Sequence, residues 1–232
     1  MIMTKFSYEV PLAHLDDFDQ YQDLYFILSF LCMNPHYRDF IKEKRGDRRV
    51  ILDNSFNELG VPDRPDRMAK FFYELNADFV VSPDSDGWSL EQLTKAYKEM
   101  TKLIPEEKVL VVVRSVEEWN WFIDNGSPYY CTTFYHRPEL PKYILNLSYH
   151  FLGLNRPEEI KRFGPISCDT SMPIKLALQG KTMSQWISEG CPHIHTKDVK
   201  GFFDLTLTKD QLNLALENCK WIKINLDANL AL

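Results

Sequence analysis

The feature that most constrains this chain is a repeating pattern of apolar runs, of which Val109–Val113 (VLVVV) is the clearest. Others are Leu24–Cys32 (LYFILSFLC), Arg49–Asp53 (RVILD), Asp78–Ser82 (DFVVS), Tyr129–Tyr135, a stretch within Ile144–Leu154, Pro165–Asp169 (PISCD) and Ile194–Thr196. These runs do not alternate apolar with polar residues. A strand with one face in water must alternate, whereas a strand covered on both faces need not, so the pattern predicts a parallel sheet with helices packed against it. Amphipathic segments with start and stop signals lie between the runs. Ser89 is placed to cap a helix over 90–103, and Ser115 with Glu118 forms a capping-box pattern before 119–125. Pro157 suits the first turn of a helix over 156–163, and Gly180 suits the end of one over 172–179. Helices are also expected over 68–75 and 208–221. No low-complexity linker divides the 232 residues. About eight strand–helix units in that length predict an α/β protein, a single (β/α)8 TIM-type barrel over residues 1–232, with a doubly wound sheet as the alternative. No GxGxxG or GxxxxGK[ST] turn supports a dinucleotide or P-loop site.

Charge and cysteine usage narrow the function classes. Lys and Arg total 27 against 33 Asp and Glu, a net charge of −6, so contact with nucleic acid would have to be local. Five scattered cysteines without a CxxC pair predict reduced, mostly buried thiols and a cytoplasmic protein. The densest metal-like group is Cys191-Pro-His193-Ile-His195, which lacks a second half, so no metal or cofactor is expected. No run approaches a membrane span, and no secretory leader is read at the N-terminus.

In a (β/α)8 barrel the reacting groups stand at the carboxyl ends of the strands. Asp53, Asp84 and Asp169 each follow an apolar run, with Asp86 close to Asp84. Arg114 ends Val109–Val113, and Gly153 and Asn155 follow the run that contains His150. Any one of these aspartates could simply cap a helix. Three together point to carboxylate chemistry, metal binding or recognition of a donor edge. His150 reads as a core histidine with its hydrogen bonds satisfied.

ILDNSFNELG, VVSPDSDG, YHFLGLN and SCDTSMPIKLALQG stand in the order and spacing of one known group. Over roughly 24–180 the chain resembles the tRNA-guanine transglycosylase superfamily, nearest its DNA-directed, 7-deazaguanine branch. That resemblance implies a (β/α)8 barrel and cleavage of an N-glycosidic bond to a base in nucleic acid. It assigns Asp169 as the nucleophile on the sugar and Asp53 to proton transfer and substrate contact. Asp84, or less so Asp86, reads the edge of the base, beside Asn54, and Gly153 lets the base lie against backbone. Arg114 stands near the place of a guanine-contacting glutamine, which implies a different base. The family's CxCxxC…H zinc motif is not reproduced, which turns the expectation away from tRNA and zinc and towards DNA with a modified base. Excision by a DNA glycosylase, for instance in phage defence, and base exchange both fit, and either requires base flipping. Arg64, Arg67, Arg114, Arg137, Arg156, Lys175, Lys197 and Lys200 are expected to hold phosphates around the mouth; the aromatic loop 129–136 and Trp88 could stack on bases, although core or rim packing is the commoner role of such residues. A metal-dependent barrel hydrolase and a non-catalytic nucleic-acid-binding barrel are the alternatives. The oligomeric state is left open.

Overall fold

The computed structural model describes residues 3–154, 156–194 and 200–227. Eight parallel strands form a nearly closed barrel: β1 (Lys5–Tyr8), β2 (Tyr25–Leu28), β3 (Val50–Asp53), β4 (Phe79–Val81), β5 (Val109–Val113), β6 (Tyr129–Thr133), β7 (His150–Leu152) and β8 (Ser167–Thr170). The hydrogen-bonded order runs β1-β8-β7-β6-β5-β4-β3-β2. The expected barrel is therefore observed, and the doubly wound alternative falls away. The runs between Leu24 and Asp169 supply β2 to β8.

One strand differs from expectation. The barrel's first strand is Lys5–Tyr8, and Ile194 lies in no strand; residues 195 and 196 of that expected strand lie outside the described residues. The seam between β1 and β2 has no regular ladder and is stitched instead by side chains. Gln22 accepts from the Tyr8 N–H at 2.7 Å and donates back to the Tyr8 carbonyl at 2.8 Å. Asp23 accepts from the Phe6 N–H, and the Ser7 hydroxyl accepts from the Phe26 N–H. Every backbone group so served would otherwise be a buried orphan.

The helices follow their capping chemistry. Ser89 and Gln92 make a full capping box at the start of Leu90–Met100. Thr208 and Gln211 do the same at the start of Lys209–Ile222. At Val116–Asp124 the Ser115 hydroxyl accepts from the Glu118 N–H, but Glu118 reaches past the cap to the N–H of Arg114 at 2.7 Å. That contact fastens the end of β5, where a site residue stands. The barrel interior and the helix–sheet layer form one apolar core running from Phe6 to Leu226. Cys32, Cys131, Cys168 and Cys219 are buried within it, Cys191 is partly exposed, and all five are free thiols.

Candidate active site

The carboxyl ends of the strands surround a cavity of about 300 Å³. Among the described residues its wall carries six carboxyl groups, Glu9, Asp53, Glu58, Asp84, Asp86 and Asp169, against the two fixed cations Arg114 and Lys175. Sequence reasoning anticipated Asp53, Asn54, Asp84, Asp86, Arg114, Gly153 and Asp169, and all seven line this one cavity. It missed Glu9, which directly follows β1, and Glu58, on the single helical turn Phe56–Leu59.

Each group is held by the turn that follows its strand. The Asp53 carboxylate accepts from the Ser55 N–H at 2.7 Å. Ser55 is fully buried and left-handed, with φ of 56°, a conformation that costs a non-glycine residue free energy and is retained where surroundings enforce it. Its hydroxyl accepts from the Phe30 N–H and the Ser29 hydroxyl, which anchor the turn to the end of β2. Asn54 is buried and donates to the Ser82 carbonyl and to Asp84. The second oxygen of Asp84 takes a hydrogen bond from Arg114, whose Nε also donates to Asp86 at 3.3 Å. The side chains of Arg114 and Asp84 are 8% and 10% exposed, so this pair is shielded from water, whereas Asp86 is at the rim. Asn54 and Arg114 thus orient Asp84, and both oxygens of Asp84 are already engaged.

Asp169 is bound differently. Its Oδ1 accepts from the backbone N–H of Gly153 and lies 3.0 Å from Nε2 of His150. Oδ2 has no hydrogen-bond partner among the described residues. Gly153 needs to be glycine: its φ is +74°, and a Cβ there would meet the Phe134 ring at 3.0 Å. Phe134 and Tyr135 lie against each other with 3.8 Å between centroids and a tilt of 34°, with His193 5.8 Å from Phe134, and form an aromatic wall over this side of the cavity. The expected satisfied histidine in the core is found: His150 is fully buried in β7.

Burial and mutual repulsion keep protons on several of the acids. Glu9 is pushed up to about 8, first by burial and then by Asp169 and Glu58. Glu58 is pushed up to about 7 by burial and by Asp169, and its Oε2 is buried without a partner. Asp53 is driven well above the carboxylate range, again by burial and then Glu58. Asp84 is also raised by burial, against the opposing pull of Arg114 and Asn54.

Unfolded, these groups ionise near their ordinary values, about 4. Between that pH and about 8 the native protein holds more protons than the unfolded chain, so its stability falls as pH rises through this window. The urea midpoint of the wild-type chain should drop from about pH 5.5 to about pH 8, and Glu9→Gln should flatten that slope. A midpoint falling equally steeply in Glu9→Gln would show that Glu9 is not a source of the dependence.

Four of the cations expected to hold phosphates, Arg64, Arg67, Arg114 and Arg137, make ion pairs within the protein. Arg64 pairs with Asp66 and Arg67 with Asp63. Arg137 is 1% exposed, binds Glu159 and donates to the carbonyls of Thr132, Leu152 and Gly153. It fastens the ends of β6 and β7 and has no access to a ligand. Arg114 holds the two aspartates through Nε and Nη2, while its Nη1 is buried without a partner among the described residues. Lys197 lies outside the described residues, as does Asn155.

No family model matches the chain, and no curated protein matches it. Solved structures do. The chain is similar to N-acetylneuraminate lyase from Mycoplasma synoviae, with 12% identity and a TM-score of 0.55, over 97% of this chain and 98% of that one. It is also similar to KGPDC from Streptococcus mutans, with 11% identity and a TM-score of 0.48, over 95% and 99% of the two chains. At this identity the likeness shows the barrel fold.

The expectation of N-glycosidic cleavage in nucleic acid is corrected here. The similar structure with the TM-score of 0.55 is named as an N-acetylneuraminate lyase, not as a nucleic-acid enzyme. The charge distribution supplies the physical reason: six carboxyls against two fixed cations line the cavity among the described residues, and Arg137 is spent on internal partners. Base flipping, DNA glycosylase activity and a phage-defence role fall with that expectation.

Proposed function

We propose that this chain is an enzyme for a small organic molecule, neutral or cationic, on which it performs carboxylate-based general acid–base chemistry. The observation that carries the reading is the make-up of the cavity: six carboxyl groups against two fixed cations among the described residues, with Glu9 raised to about 8, Glu58 to about 7 and Asp53 also raised by burial. Carboxyls set to different proton affinities in one small space form an acid–base set. Asp169 is the base. Its Oδ1 is fixed by two contacts, so Oδ2 is the oxygen that takes a proton from the substrate. Asp53 and Glu58 hold protons and supply the acid that returns one. Phe134 and Tyr135 cover the substrate's apolar face, and the Asp84–Arg114 pair offers a fixed polar edge. A volume of about 300 Å³ suits a molecule at the small end of the usual ligand range.

An anion meets repulsion here, because carboxyl groups outnumber the fixed cations Arg114 and Lys175 on the described wall. A thermal-shift panel sorted by charge tests this. Neutral polyols and amides, amines and guanidines, and carboxylates and phosphates form its three arms. A ligand present at about 100 times its Kd stabilises the native state by roughly 2.7 kcal/mol. Stabilisation is expected from the neutral or cationic arms. Stabilisation by phosphates or carboxylates alone would overturn the charge reading.

A further inference from the structure

Beneath Asp169, the side chains of His150 and Ser167 run in line with it through the barrel interior. His150 Nδ1 lies 2.8 Å from the Ser167 hydroxyl, and Nε2 lies 3.0 Å from Asp169 Oδ1. The imidazole is fully buried and stacked on Phe26, with 4.8 Å between centroids and 5° between planes. Rotation of the ring is thus blocked from the side, and its two nitrogens face two different partners.

Proton bookkeeping decides which nitrogen carries the hydrogen. If Nδ1 held it and Nε2 were bare, a lone pair would face the Asp169 carboxylate at 3.0 Å, with Gly153 N–H already on the same oxygen. If Nε2 holds it, Nε2–H donates to Oδ1, and the Ser167 hydroxyl donates to the bare Nδ1. That second arrangement asks Ser167 to give up only a 3.4 Å contact with the Tyr149 carbonyl, which the Ser167 N–H already serves at 3.1 Å. Both ring nitrogens, the Ser167 hydroxyl and Oδ1 of Asp169 are then satisfied, and Oδ2 is left facing the cavity.

We propose that His150 is a positioning residue: held as the Nε2–H tautomer by Ser167, it locks Oδ1 of Asp169 and presents Oδ2 to the substrate. The inference rests on the assignment of Asp169 as the base and adds the residue that orients it. His150 itself touches no substrate. Glutamine at position 150 can imitate both bonds, its amide N–H donating to Asp169 and its carbonyl accepting from Ser167, whereas leucine can imitate neither.

Nitrogen NMR of the full chain labelled with 15N-histidine gives the direct test, with His150→Gln identifying the His150 signals. The proton is expected on Nε2, and the signals should move in Asp169→Asn. A proton on Nδ1, or signals unmoved by Asp169→Asn, would overturn the proposal. Methylguanidine, a small cation, provides the functional readout by titration. His150→Leu should weaken its binding about tenfold, the scale of a lost charge-assisted hydrogen bond, and His150→Gln should restore most of it. Equal binding by wild type and His150→Leu would also overturn the positioning role. If methylguanidine does not bind the wild-type chain, the cation reading of the cavity fails, and the NMR result alone still decides whether His150 holds Asp169.

Discussion

Replacing Arg114 with methionine is expected to destabilise the protein by about 3–5 kcal/mol, the usual cost of removing one partner from a buried ion pair. Arg114 and Asp84 are both about nine-tenths shielded, and Arg114 is the cation that touches Asp84. Without it, a carboxylate remains in the barrel mouth with the Asn54 amide as its remaining hydrogen-bond donor. Burial already raises Asp84, so the variant's Asp84 should take up a proton at a still higher pH. The loss should therefore be larger at about pH 8 than at about pH 5. The double variant Asp84→Asn/Arg114→Met removes the orphaned charge and should recover much of the stability. Urea midpoints for the two variants and the wild type, at both pH values, check this. A double variant as unstable as Arg114→Met would mean that Arg114 acts through packing and not through Asp84.

How much of this was legible in the sequence differs from residue to residue. The β5 run VLVVV announces a strand covered on both faces, and Asp53, Asp84 and Asp169 were placed at the mouth because each ends such a run. The first strand, KFSY over Lys5–Tyr8, has no such signature. It is short, and Ser7 faces the seam where its hydroxyl replaces a ladder bond. Missing that strand hid Glu9, whose importance depends on standing at its end. Glu58 was hidden by a one-turn helix that begins from the left-handed Ser55, a conformation that serine does not signal. The basic residues show the other limit. Sequence gives the sign of Arg137 but not its partner Glu159, 22 positions away, or the three carbonyls it satisfies across two strands. A cation read from sequence as free for phosphate is in this case consumed by the fold.

The second large effect belongs to Asp169. Asparagine in its place keeps a similar shape and can still accept from the Gly153 N–H, so the barrel should survive. What it loses is basicity at Oδ2. General-base catalysis contributes roughly 10²–10⁴ in rate, and Asp169→Asn should lose that much. Asp86→Asn provides the contrast: Asp86 is at the solvent rim, and its change should alter the rate far less.

The most direct measurement follows proton transfer itself. Neutral and cationic compounds that stabilise the wild-type chain are incubated with it in deuterated water and read by mass spectrometry for product or for deuterium taken up at carbon. If Asp169 is the base, the wild-type chain gives turnover or exchange with at least one of them, and Asp169→Asn, folded to the same degree, is slower by about 10²–10⁴. Equal rates in the two proteins would contradict the assignment of Asp169 as the base in this cavity.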